Sequence, residues 1–189
     1  MPLKEKSKII GWDDGPFEFN QEEKVPVIGA VTRGGDHLDG IIKTGVEVDG
    51  LKGTSRLSSA INESKHKRDL SLIMLDGITL GGYNVIDIEA LAERTELPVL
   101  ATTRKRVDLD SFRAGLKKLP EFESRWEAVL KAGEITKMNA RGSEIYYQKS
   151  RLTREEANRA ISITATHSTT PEPLRLADII AKSLVHGES

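Results

Sequence analysis

The chain has 189 residues, 38% of them hydrophobic and 30% charged, with a formal net charge of −1. This is the make-up of an ordinary globular chain, read as one domain over 1–189 and long enough to bury a substantial core. The absence of cysteine excludes disulfides, thiol catalysis and Cys-ligated zinc, the near-neutral balance excludes a basic nucleic-acid coat, and no apolar run approaches the ~20 residues of a membrane span.

Lys8 to Asp13, "KIIGWD", reads as a buried strand that runs into the turn Asp14-Gly15-Pro16. "VPVIGAVTR" (Val25 to Arg33) is a second, β-branched strand. "LDGIIKTGVEV" (Leu38 to Val48) is a third, with Ile42, Thr44, Val46 and Val48 alternating onto one face. Short turns join the three as an antiparallel meander. The period then changes. "TSRLSSAINESKHK" reads as a helix, "DLSLIMLDG" as a continuous apolar strand of the buried parallel type, and "NVIDIEALAERT" as a helix. "LPVLATT" is another buried strand, followed by helical "LDSFRAGLKKL" and "FESRWEAVLKA". "EIYYQ" is expected at a sheet edge. Thr153 and Glu156 form a capping box that opens a helix, and the last helix follows "ATHSTTPEP" from Leu174 to Leu184.

This order predicts a mixed α/β sheet flanked by helices, as in the ribonuclease H-like fold. A doubly wound dinucleotide fold would need helical crossovers among its first strands. Neither G-x-G-x-x-G nor G-x-x-x-x-G-K-[ST] is present. The N-terminal apolar stretch is too short for a signal peptide, so the expected location is cytoplasmic.

Two carboxylates occupy comparable places. Asp13 ends the first strand, and Asp76 ends "LSLIML" before Gly77. If those strands are neighbours, the two acids lie side by side, repel and raise each other's pKa until a divalent cation removes the conflict. The competing reading is plain turn chemistry, because Asp before Gly bonds its own backbone. The residues by themselves leave both readings open.

"GWDDGPF", "IMLDGITLGGYNVIDI" with "LPVLATTRK", and "PEPLRLADIIAKSL" together resemble the archaeal endonuclease V-like family associated with endonuclease dU. The resemblance covers nearly the whole chain. It implies a ribonuclease H-like fold with a Mg²⁺-dependent phosphodiesterase centre (Mn²⁺ as substitute). The implied substrate is nucleic acid with deaminated bases, deoxyuridine before inosine and DNA before RNA, in DNA repair. Matched residue by residue, Asp13 and Asp76 fall on the metal aspartates and Arg104 on a basic residue near the scissile phosphate. Asp178 stands where endonuclease V has a histidine, and is expected as a further catalytic and metal-binding acid. The glutamate of endonuclease V has no match here; Asp49 is the nearest candidate ligand, with Glu47 as alternate.

"GITLGGYN" lacks the His-Pro-Arg of endonuclease V, so Gly81, Gly82, Tyr83 and Asn84 are expected to read the substrate there. A glycine turn with Asn84 as a helix cap competes with this. Lys105 and Arg106 extend Arg104 into a basic run suited to phosphates. The alternative function is a catalytically weak ribonuclease H-like module that binds nucleic acid or a protein partner without cleavage.

Overall fold

The computed structural model of the protein describes residues 3–17 and 24–189. Strands β1 (Lys8–Asp14), β2 (Lys24–Arg33) and β3 (His37–Glu47) form the expected antiparallel meander. Helix α1 (Gly53–Asn62) carries the chain across the sheet to β4 (Leu70–Asp76), which lies parallel to β1. A small hairpin of β5 (Thr79–Leu80) and β6 (Asn84–Val85) precedes helix α2 (Ile88–Thr95), and β7 (Val99–Thr103) then lies parallel to β4. Helices α3 (Leu109–Leu116) and α4 (Phe122–Lys131) lead into the hairpin of β8 (Thr136–Ala140) and β9 (Ser143–Ser150). The chain closes with α5 (Arg154–Thr164) and α6 (Glu172–His186). The sheet order is β3-β2-β1-β4-β7-β9-β8.

Two local expectations need correction. "EIYYQ" lies within β9, which is interior, paired to β7 on one side and β8 on the other. The edge strand on this side is β8, a five-residue "TKMNA" in which exposed Lys137 and Asn139 alternate with Met138 and Ala140. The turn between them, Arg141-Gly142, has both φ angles positive (53° and 80°). That is the geometry favoured in two-residue hairpins, reached here without the usual Asn-Gly signal. Also, Asn84 and Val85 belong to β6, and α2 starts only after Asp87, whose side chain accepts from the Ala90 amide. The capping box is present as expected: the Thr153 hydroxyl accepts from the Glu156 amide, and the Glu156 carboxylate accepts from the Thr153 amide.

Strand side chains alternate between faces, and this parity sorts the core. Ile10, Trp12, Ile73, Leu75, Val99 and Ala101 face α1 and α2. Ile9, Leu72, Met74 and Leu100 face the side covered by α5 and the start of α6. Further along, Ala177 and Ala181 of α6 pack on Ile28 and Ala30 of β2. The close seating of α6 depends on Gly11: a Cβ there would stand 2.5 Å from the carbonyl carbon of Pro173. A side chain would push the helix off β1.

Candidate active site

By the same parity Asp13 follows Gly11 onto the α6 face, and Asp76 follows Leu72 and Met74 there. Trp12 pairs with Leu75 in parallel register, so the next residues, Asp13 and Asp76, leave adjacent strands at the same end. The carboxyl ends of parallel strands are where α/β sheets place their ligands. Asp178 of α6 lies above them. A cavity of about 440 Å³ opens between these elements, lined by Asp13, Asp76, Asp178, Arg104, Arg175 and Lys182 together with the hydroxyl-bearing loop Ser168–Thr170.

The electrostatics follow from this crowding. Burial pushes the Asp13 carboxyl up to about 9, with the charges of Asp76, Asp14 and Asp178 adding to it. The Asp14 amide donates to Asp13 Oδ1 at 2.9 Å and works the other way. Asp76 is exposed at the cavity mouth, yet desolvation by the surrounding protein still raises its pKa; Arg104 opposes this, and Asp14 and Asp178 reinforce it. Asp178 Oδ2 accepts from Lys182 Nζ at 2.8 Å, one helical turn on.

Asp14 points to the opposite face. Its Oδ2 accepts from the Gly81 amide at 2.7 Å, 67 residues away. This begins a chain of contacts through the β5–β6 hairpin. The Asp49 amide donates to the Gly81 carbonyl at 2.9 Å, and Asp49 Oδ1 accepts from the Tyr83 amide at 2.7 Å. Arg125 of α4, only 2% exposed, donates to the carbonyls of Asp49, Gly50, Tyr83 and Pro120. Burial lowers the pKa of this guanidinium, and the charge of Asp49 opposes the shift.

The residues singled out in the sequence therefore divide. Asp13, Asp76, Asp178 and Arg104 share one cavity. Asp49 does not line it, and its carboxylate is spent on the hairpin. Asn84 is fully buried; its Oδ1 accepts from the Gly53 amide at the start of α1 and its Nδ2 donates to the Glu47 carbonyl. It supports the N-terminus of α1 rather than the helix that follows it in sequence. Tyr83 packs its ring on Phe112, with centroids 5.6 Å apart, while Gly81 and Gly82 take positive φ in the hairpin turn. Arg104 and Arg106 face different cavities, and Lys105 between them is exposed.

Sequence reading missed Arg175 and Lys182. Their spacing of three before and four after Asp178 on one helix was the available signal. It also missed a second cavity of about 300 Å³, on the other side of Asp76, whose lining includes Ala101, Phe112, Val129, Ile135 and Gln148. No local pattern announces that one, because its walls come from β7, β9, α3 and α4.

A family model described as Endonuclease dU matches residues 5–185. The chain belongs to the endonuclease dU family. A UPF0215 protein of Methanothermobacter thermautotrophicus is 41% identical to it over 188 residues, covering 99% of this chain and 92% of the relative. A protein of unknown function from Archaeoglobus fulgidus, solved by crystallography, superposes with a TM-score of 0.87 at 34% identity, covering 96% of this chain and 100% of that one. Endonuclease V of Ciona intestinalis, solved with a 24mer DNA containing an inosine followed by a ribo-adenosine, gives a TM-score of 0.62 at 13% identity, covering 96% and 87%. At that identity the likeness is one of fold. This member of the endonuclease dU family thus has the ribonuclease H-like architecture of endonuclease V, as its element order led us to expect.

Among the described residues of this endonuclease dU family member, no three Asp, Glu or His side chains form a metal cage by themselves. The donor chemistry still fits a hard divalent cation. Two carboxylates leave adjacent strand ends, and the pKa of Asp13 is raised partly by the charge of Asp76, the conflict a cation relieves. Mg²⁺ commonly takes one or two carboxylates and completes its shell with water and substrate phosphate. Among the described residues no helix is long and apolar enough to cross a membrane.

Proposed function

We propose that this protein is a metal-dependent endonuclease that hydrolyses a phosphodiester bond in nucleic acid carrying a deaminated base. Deoxyuridine in DNA is the first substrate, inosine the second, and the setting is DNA repair in the cytoplasm. One observation carries the reading: Asp76 stands on the rim between two cavities of different character, lining both. The cavity shared with Asp13, Asp178, Arg104, Arg175 and Lys182 offers acids for a cation and cations for phosphate. The other is smaller and mixes apolar Ile78, Phe112, Val129 and Ile135 with Thr79, Thr102, Thr103 and Gln148, suited to one base turned out of its stack. A backbone crossing Asp76 has its phosphate in one and its base in the other.

In this mechanism Asp13 and Asp76 would hold Mg²⁺, or Mn²⁺ in its place, with Asp178 as a further acid of the site. The cation supplies Lewis acidity and lowers the pKa of water at the phosphate when bound. Arg104 donates to a non-bridging phosphate oxygen and stabilises the charge that grows there as water attacks. Lys105 and Arg106 steady the flanking backbone.

A cleavage assay tests this on oligonucleotides that differ only in one base: uracil, hypoxanthine, cytosine or adenine. Nicking is expected at uracil and then hypoxanthine, only with Mg²⁺ or Mn²⁺. Asp76→Asn should abolish it while the metal-free melting temperature holds or rises, since one of the clustered acids has been neutralised. Substantial nicking by that variant would remove Asp76 from the site. A second reading, binding without cleavage, is favoured by the Asp178–Lys182 pair, which occupies one acid of the set. Metal-independent binding with no nicking of any oligonucleotide is its signature.

A further inference from the structure

We infer that Gln148 is the specificity-determining residue of the smaller cavity, accepting the lactam N–H that deamination creates on a base. Gln148 pairs with Ala101 across β9 and β7, so both side chains share a face, and the small Ala101 leaves the space that the cavity occupies. The amide is 8% exposed, and its orientation is set from behind. Nε2 donates to the Gly133 carbonyl at 2.9 Å, a bond that only the nitrogen end can make. Gly133 is held in a left-handed turn (φ 75°) just past α4. Oε1 is then the free end: no donor among the described residues reaches it, and it is not sealed in the core. Gln148 lines this cavity as well as the neighbouring groove of Arg106 and Lys137, and in the cavity it stands among apolar Ile78, Phe112, Val129 and Ile135 and polar Asp76, Thr79, Thr102 and Thr103.

The chemistry of the ligand follows. Cytosine carries a lone pair at ring N3 and adenine one at N1. Deamination turns each ring into a lactam, so uracil has N3–H and hypoxanthine N1–H at the same place. A fixed carbonyl oxygen bonds that N–H, but meets the parent base lone pair to lone pair. The mismatch leaves the acceptors on both sides without a donor. Thymine carries the same N–H, so its exclusion falls to the shape of the cavity around its methyl group. Gln148 governs the choice between a deaminated base and its parent.

The inference rests on the endonuclease reading, but binding tests it separately. The wild-type protein in EDTA is titrated with labelled single-stranded oligonucleotides that differ at one base: uracil, N3-methyluracil or cytosine. Uracil should bind about tenfold or more tighter than either of the others, because cytosine lacks the donor at N3 and N3-methylation replaces it with a methyl group. Gln148→Leu should remove the difference between the uracil and cytosine oligonucleotides. Equal binding of uracil and N3-methyluracil by the wild-type protein overturns the inference without any variant. Selective cleavage at uracil that Gln148→Leu retains also overturns it, while leaving the endonuclease reading intact. Selective uracil binding with no cleavage under any metal condition would retire the endonuclease reading and leave Gln148 in its role.

Discussion

Asp13 illustrates how a single residue turns crowding into a measurable cost. Its carboxyl, ordinarily at 3.8, is pushed up to about 9, first by burial and then by the charge of Asp76. Between those values the unfolded chain has released this proton and the folded chain still holds it. In that window the metal-free fold loses stability as pH rises. Below about pH 4 both forms are protonated and the penalty vanishes; above the folded value it is complete. Asp13→Asn cannot ionise. In EDTA, its gain in melting temperature over wild type should therefore be larger near about pH 8 than near about pH 5. A gain that is the same at both would show that Asp13 titrates normally. Asp14, one position along, is spent differently: the strand pleat turns it to the other face, where it anchors the Gly81 amide.

At the scale of elements, α4 reaches the site through backbone alone. Arg125 donates to three carbonyls of the Asp49–Gly50 turn and the β5–β6 hairpin and to that of Pro120 just before α4, and Gly81 of that hairpin donates to Asp14 beside Asp13. Backbone carbonyls use one cation where a carboxylate partner would be usual, so removing the guanidinium strands several buried acceptors at once. Arg125→Met should cost on the order of 3 kcal/mol in urea denaturation. It should also speed amide exchange at Gly81 and Tyr83, whose partners Asp14 and Asp49 then sit on a loosened hairpin. Unchanged exchange at those two amides would mean that the hairpin is held by other contacts.

For the molecule as a whole, a net charge of −1 means that nucleic acid is gripped locally. The cations near Asp76 are few: Arg104, Arg175 and Lys182 in one cavity and Arg106 in the neighbouring groove with Lys137. Arg175 is also tied to Glu172, and Lys182 to Asp178. Binding of a single-stranded oligonucleotide should therefore weaken only moderately with salt, with a slope of log K against log salt of about −2 to −3. Arg106→Ala should flatten that slope by about 0.7 to 1. Fluorescence anisotropy across a salt series measures both, and a slope steeper than about −6 would require a basic track outside these cavities.

The chain by itself determined the meander, the two buried parallel strands and the helices between and after them, but not the short strands β5, β6 and β8. It also marked the capping box of α5 and the turns after Asp14 and Asp76. Each of these rests on short-range chemistry: side-chain period, β-branching, or a polar cap next to its helix. The family motifs likewise brought Asp13, Asp76, Asp178 and Arg104 forward, and all four line one cavity. Only the tertiary structure decided the rest. Asn84 supports a helix 31 residues earlier, Asp49 serves the hairpin, Arg125 binds carbonyls up to 76 residues away, and β9 lies inside the sheet. Gln148 gains its meaning from Ala101 on one side and Gly133 on the other. A buried polar group must find a partner wherever the fold brings one, and that partner leaves no periodic trace in the sequence around it.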